Sequence, residues 1–303
     1  MAAVELVVVG SVALDSIKTP FGEVKRALGG SASFASVAAS LFAKPGIVGV
    51  VGKDFPKEHI ELFRKKGIDL EGLSIVEGKT FFWEGYYGFD LNQAHTVKTE
   101  LNVFEKFKPE LPEEYRNAKY LFLGNIAPSL QLDVLRQMKK KPKLVVADTM
   151  NYWIEKDKAK VLEVAREADI ALMNDSEARM LFNTPSILKA AREIMKLNSK
   201  YAIIKKGEHG CVMFTKNSNF SAPGYPLENV LDPTGAGDSF AGSFLGYLAK
   251  TGDLSEANLR KAIVTASAVA SFNAEGFSLD RLKQITLGDV EKRFGEFREI
   301  VKF

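Results

Sequence analysis

A single cysteine, Cys211, stands in a chain of 303 residues. One thiol cannot close an intramolecular disulfide, and a metal site built from several cysteines is excluded. Histidine is nearly as scarce: His59, His95 and His209 lie far apart, and no HExxH pattern occurs. No apolar run reaches the ~18 residues that a membrane span needs. An excess of one charge is missing too. The 41 Lys and Arg against 38 Asp and Glu leave a net +3, too little over this length to imply a nucleic-acid partner. The opening Met1-Ala2-Ala3-Val4-Glu5 places an acid where a signal peptide is basic, so the expected compartment is the cytoplasm. What is present, 46% hydrophobic and 26% charged residues, is the composition of a folded chain rather than a disordered one. At roughly 150 residues per domain, the length suits two domains or one large domain with an appendage.

Short apolar runs recur along the chain. Glu5-Leu6-Val7-Val8-Val9-Gly10 reads as a buried, parallel strand. Ile47 to Val51, Tyr120 to Leu123, Lys143 to Ala147, Asp169 to Met173 and Tyr201 to Ile204 repeat the pattern. Helical patterns lie between most of them: Ser33 to Phe42, Lys57 to Lys66, Leu130 to Lys140 and Lys156 to Ala168. Strands alternating with helices imply βαβ units and a mostly parallel sheet covered on both faces. Two stretches break the alternation. Ser11 to Leu28 holds the turn signal Thr19-Pro20-Phe21-Gly22, and Lys79 to Val103 is rich in aromatics, with Phe81, Phe82, Trp83, Tyr86, Tyr87 and Phe89. Both read as antiparallel strands outside the main sheet, either a meander covering its edge or a small lid over a cleft.

The segment richest in chemistry runs Leu231-Asp232-Pro233-Thr234-Gly235-Ala236-Gly237-Asp238-Ser239-Phe240. Gly235-Ala236-Gly237 has no bulky side chain, so its amides can approach an anion. Phe240 to Ala249 then reads as a buried helix, which places the glycine turn at a helix N-terminus, where free N–H groups and the dipole favour phosphate. Asp238 falls in the first turn. Read alone, it is a helix-start acid or a general base for a hydroxyl attacking phosphorus. Neither GxxxxGK[ST] nor a GxGxxG after the first strand is present, so the two common nucleotide loops are excluded.

Asp232 to Phe244 closely resembles the C-terminal signature of the ribokinase-like, or PfkB-type, carbohydrate kinases. Val8 to Asp15 resembles that family's first strand and substrate-binding Asp. Gly29-Gly30 before a small-residue helix resembles its N-terminal glycine pair, and Gly49 to Asp54 its GxVGxD strand end. Asn174-Asp175-Ser176-Glu177 is similar to its NxxE motif, and Lys206-Gly207-Glu208-His209-Gly210 to its GxxG nucleotide turn. The matches occur in the family's order.

The resemblance implies an α/β, three-layer ribokinase-like fold: a mostly parallel central sheet flanked by helices, plus a small β-sheet lid. It implies one domain over 1–303, with a lid from about 12–28 and 79–103 and a nucleotide- and phosphate-binding half over about 170–303. It implies transfer of the ATP γ-phosphate to a hydroxymethyl group of a sugar or sugar derivative. Asp238 would be the base, and the amides of Gly235, Ala236 and Gly237 the anion hole. Asp15, Gly29, Gly30, Ser33 and Phe34 would form the substrate side; Asn125 joins them by position alone, at the end of another strand, where open α/β sheets bind ligands. Asn174, Glu177, Lys205, Gly207, Gly210 and Thr234 would bind the nucleotide, with Glu177 reaching Mg2+ through water. Asp232, Thr234 and Gly276 match positions that bind a monovalent cation, K+, in some relatives. Lid-to-lid homodimers are a further implication.

Two departures bear on the substrate. Relatives often carry Asn where this chain has Phe34, which implies a less polar substrate face, suited to a base or a substituted sugar, with Ser31 or Ser33 supplying a hydroxyl. Lys205 stands where many relatives have Thr, and either reaches a phosphate or lies at the surface. A nucleoside kinase of the same fold is therefore a second reading. A ligand-binding sensor without catalysis is a third, disfavoured by the retained Asp238. A Rossmann-type dehydrogenase is disfavoured because its glycine fingerprint is missing after the first strand.

Overall fold

A computed structural model of the chain describes residues 4–197 and 199–302. In chain order the first half contains β1 (Leu6–Val9), β2 (Ala13–Thr19), β3 (Gly22–Gly29), α1 (Ser31–Ala39), β4 (Pro45–Gly52), α2 (Lys57–Lys65), β5 (Leu73–Val76), β6 (Phe81–Tyr87), β7 (Ala94–Glu100) and β8 (Tyr120–Leu123). The second half contains α3 (Pro128–Gln137), β9 (Leu144–Ala147), α4 (Asn151–Glu167), β10 (Ile170–Asn174), α5 (Asp175–Phe182), α6 (Ile187–Lys196), β11 (Tyr201–Lys205), β12 (Cys211–Phe214), β13 (Asn219–Ala222), α7 (Ala236–Thr251), α8 (Glu256–Ala274) and α9 (Leu287–Ile300).

Nine strands form the large sheet, in the order β13-β12-β11-β10-β9-β8-β1-β4-β5. From β11 to β5 every pairing is parallel, and only the edge pairs β11/β12 and β12/β13 are antiparallel. Every residue of β1, β4, β8 and β9 is buried, as strands covered on both faces require. On one face α1, α7 and α8 bury Phe34, Phe244 and Ile263; separate apolar clusters lie under α3 and under α5 and α6. The chain runs from β1 to β4 on one side, then returns to β8 on the other. That reversal opens a crevice at the carboxyl ends of the strands, where open α/β sheets bind ligands.

The small sheet has the order β3-β2-β6-β7. Its flanking pairs are antiparallel, but the central β2/β6 pair is parallel, so the expectation of a purely antiparallel element needs correction. The physical reason is that its two halves come from separate stretches of chain that each leave the body in the same direction. The second half has a closed neck. Asn102 Nδ2 donates to the Thr80 carbonyl at 3.0 Å, and the Val103 amide donates to the Lys79 carbonyl at 3.2 Å. Asp54 accepts from both the Thr80 amide and hydroxyl at 2.7 Å.

Candidate active site

Gly235 begins α7 with φ of 75°, a left-handed conformation that suits glycine. A Cβ there would overlap the Phe34 ring. The Ala236 amide closes a turn on the Pro233 carbonyl at 3.1 Å. The amides of Gly235 and Gly237 donate to no protein acceptor among the described residues, as the first donors of a helix do. Asp238 follows in the first turn, half-buried at the cleft. Burial pushes its carboxyl up to about 7; Asp148 adds repulsion and Lys205 opposes it.

Asp148 was absent from the sequence-based set of site residues. It lies just past the carboxyl end of β9, 6% exposed, and Lys205 at the end of β11 donates to its Oδ2 at 2.9 Å. A signal for it existed: an acid directly after the apolar run of a parallel strand, the same position that drew attention to Asn125. Lys205 is therefore not a surface residue. Burial works against its charge, but Asp148 and then Glu177 outweigh it and hold the ammonium above its ordinary range. A Cβ on Gly237 would sit 2.9 Å from Lys205 Nζ, so the ammonium lies directly behind the glycine turn.

Asn174 caps α5 and forms a reciprocal box with Glu177. Its side-chain oxygen accepts from the Glu177 amide at 2.8 Å, while the Asn174 amide and Nδ2 each donate to the Glu177 carboxylate at 2.7 Å. Glu177 is thus buried rather than solvated. Burial, then Asp148, pushes its carboxyl up to about 8 against the pull of Lys205. Three carboxylates and one ammonium share this corner.

Asp15, on β2, is 5% exposed. Burial pushes it up to about 8; Asp232 repels it, the Gly30 amide donates to it, and Asp238 adds further repulsion. A Cβ on Gly29 would collide with this carboxylate. The glycine pair therefore gives Asp15 room, and Gly30, at φ 90°, turns the chain into α1. Ser33 and Phe34 were expected on the substrate face, and that placement needs correction. Phe34 is 1% exposed because it packs beneath Gly235 at the start of α7, and Ser33 is fully buried in α1. Asn125 follows β8, half-buried, with its carbonyl oxygen taken by Trp153 Nε1 at 3.0 Å.

Asp232 is fully buried. Its two oxygens accept from the Thr234 and Ser278 amides, each at 2.9 Å, and no Lys or Arg pairs with it among the described residues. Gly276 closes the turn after α8, two residues before Ser278. The small sheet reaches this region: Thr234 Oγ1 lies 3.2 Å from Tyr87 Oη, a contact that the sequence did not suggest. In the nucleotide turn, Gly207 and Gly210 have φ of 55° and 78°. Gly210 packs against the backbone of Ala222 to Gly224, and Gly207 against the Asn92 side chain.

No group of three or more His, Cys, Asp or Glu side chains is arranged to hold a metal among the described residues.

The geometry sets a helix start with uncommitted amides beside a carboxylate of raised pKa. Residues 4–281 match the family described as pfkB family carbohydrate kinase, and the chain belongs to it. It is a phosphotransferase of the sugar- and nucleoside-kinase class. A cytidine kinase from Thermococcus kodakarensis is 34% identical over 250 residues, covering 80% of this chain and 88% of that protein. A fructokinase-2 from Oryza sativa subsp. japonica is 28% identical over 276 residues, covering 82% and 79%. An E. coli structure assigned as ribokinase II and holding ATP and Mg2+ superposes with a TM-score of 0.80 at 16% identity, covering 97% and 99%.

Proposed function

We propose that the chain transfers the γ-phosphate of ATP to the hydroxymethyl group of a nucleoside, with cytidine the first acceptor to test. The observation that carries the transfer is Asp238, a half-buried carboxylate with a raised pKa beside the uncommitted amides of Gly235 and Gly237. The likeness to a cytidine kinase supports the acceptor class. Asp238 takes the acceptor hydroxyl proton as that oxygen bonds to the γ-phosphorus and the bond to the β-phosphate oxygen breaks, releasing ADP. Amides of the glycine turn stabilise charge on the transferred group, each worth ~3–4 kcal/mol when well aimed. Lys205, held by Asp148, adds positive charge behind them.

Asp15 accepts from acceptor hydroxyls, and Asn125 lies at the neighbouring strand end. Asn174, Glu177, Thr234, Gly207 and Gly210 form the nucleotide side. Mg2+, when bound, would neutralise phosphate charge, and Glu177 is the residue that would help hold it, through water. The buried Asp232, lacking a cationic partner, fits a K+ ion shared with Thr234 and Gly276. The whole works as one domain with the small sheet as lid. The exposed Phe21 and Phe89, paired edge to face at 6.5 Å, support a lid-to-lid homodimer. ATP dependence and one buried thiol support a cytoplasmic location for the enzyme.

ADP release over cytidine, uridine, adenosine, ribose and fructose tests this reading. The highest kcat/KM is expected for a pyrimidine nucleoside. Turnover of fructose or ribose alone would replace the acceptor class with a sugar, in line with the fructokinase likeness. No ADP from any acceptor would remove the transfer itself. Gly29→Ala should raise the acceptor KM about tenfold or more while leaving the ATP KM near normal, because the new methyl displaces Asp15. An unchanged acceptor KM would separate Asp15 from acceptor binding.

A further inference from the structure

Strand parity gives the small sheet two unlike faces. In the parallel β2/β6 pair, Asp15 is opposite Trp83 and Ile17 is opposite Gly85. Side chains alternate along each strand, so Asp15, Trp83, Gly85 and Tyr87 share one face. Asp15 and Tyr87 show where this face looks: Asp15 lies against Gly29, and Tyr87 touches Thr234 in the phosphate loop. The shared face is therefore the one turned into the cleft.

On that face the Trp83 indole is laid down along its own strand. A Cβ on Gly85 would overlap the Cζ2 and Cη2 atoms of the indole, so the ring occupies the space where a side chain at 85 would stand. Its Nε1 donates to Thr96 Oγ1 at 3.1 Å, and Thr96 is the residue paired with Gly85 from β7. One ring face rests on the strand, the indole N–H is satisfied, and the side chain is only partly buried. A planar aromatic with its orientation fixed before binding loses little freedom when a second ring stacks on it.

We propose that Trp83 is the residue that selects for a nucleobase: its indole is a fixed stacking platform, one strand away from the carboxylate that receives the hydroxyls. This rests on the nucleoside reading above. The spacing matches the ligand's chemistry, with Asp15 for the polar sugar and the neighbouring indole for the flat base. A free hexose or pentose has no aromatic ring to lie face to face on this platform. Gly85 and Thr96 are positioning residues for the indole.

Two measurements test it. The chain has two tryptophans, Trp83 and Trp153. Cytidine titrated without ATP should quench emission in the unmodified protein, and the quench should vanish in Trp83→Phe. Ribose should leave emission unchanged. In steady state, Trp83→Leu should raise the cytidine KM roughly ten- to a hundredfold, as loss of one base–aromatic stack does, with the ATP KM near normal. Trp83→Phe should restore most of that loss. If the unmodified protein turns over cytidine but Trp83→Leu keeps the same cytidine KM, or the quench persists in Trp83→Phe, the platform is overturned and the nucleoside reading stands. If the unmodified protein turns over only sugars, the nucleoside reading falls and the platform with it.

Discussion

Replacing Asp238 with Asn lowers turnover by ~10²-fold or more and, in the same protein, raises the melting temperature of the ligand-free form at pH 8. Loss of the base explains the first effect. Burial explains the second. The folded-state pKa is raised to about 7, whereas an unfolded Asp titrates near 4. Between those values the folded protein binds more protons than the unfolded chain, so its stability falls as pH rises through that window. Asn carries no charge and escapes the penalty. The difference in melting temperature should shrink as pH falls toward 4. The intact enzyme should show kcat/KM declining below about pH 7, as the base becomes protonated. Near-normal turnover in the variant would remove Asp238 from the base role, and a lower melting temperature at pH 8 would contradict the burial argument.

Lys205→Met should be the most destabilising change in the site. Lys205 is the cation that Asp148 holds at 2.9 Å, and its charge also opposes repulsion at Glu177 and Asp238. Deleting one partner of a buried pair leaves an uncompensated charge, at a cost of ~3–5 kcal/mol. The loss should be largest at pH 8 and smaller at pH 6, where protonation of Glu177 and Asp238 relieves the cluster. Denaturant unfolding at the two pH values measures it. Equal losses at both would show that packing by the lysine stem, rather than its charge, stabilises the corner. The double variant Asp148→Asn/Lys205→Met should recover part of the stability but not the turnover.

Sequence pattern located the central sheet because its strands are short, apolar and punctuated. Tyr120–Leu123 coincides with β8, and Lys143 to Ala147 overlaps β9. Those strands are buried on both faces, so their composition alone specifies them. The parallel joint between β2 and β6 was not legible, because pairing between distant segments leaves no local periodicity. The same distinction applies in the site. Asp238, Asp15 and the glycine pairs announce themselves by spacing within short motifs. Asp148 and Tyr87 act through partners 57 and 147 residues away; only the place of Asp148 after an apolar run hints at its role, and nothing beside Tyr87 marks its own. Phe34 was misplaced for a related reason: the substitution of a ring for an amide was visible, but the direction of that ring depends on how α1 meets α7.

The closed neck at Thr80 and Asn102 has an evolutionary consequence. Chain enters and leaves the β6–β7 hairpin through one hydrogen-bonded doorway, clamped to the body by Asp54. The edge strand β7 pairs with β6 alone, so its residues can change character without altering the spacing of anything on the body. Two contacts still tie the hairpin to the site: Trp83 pairs with Asp15 on β2, and Tyr87 reaches Thr234 in the phosphate loop. Within those ties, selection can retune which acceptor is admitted through side chains of residues 81–100 while the helix start at Gly235 and Asp238 is inherited unchanged. A pfkB-type scaffold divided in this way can diversify its acceptors faster than it can lose its reaction.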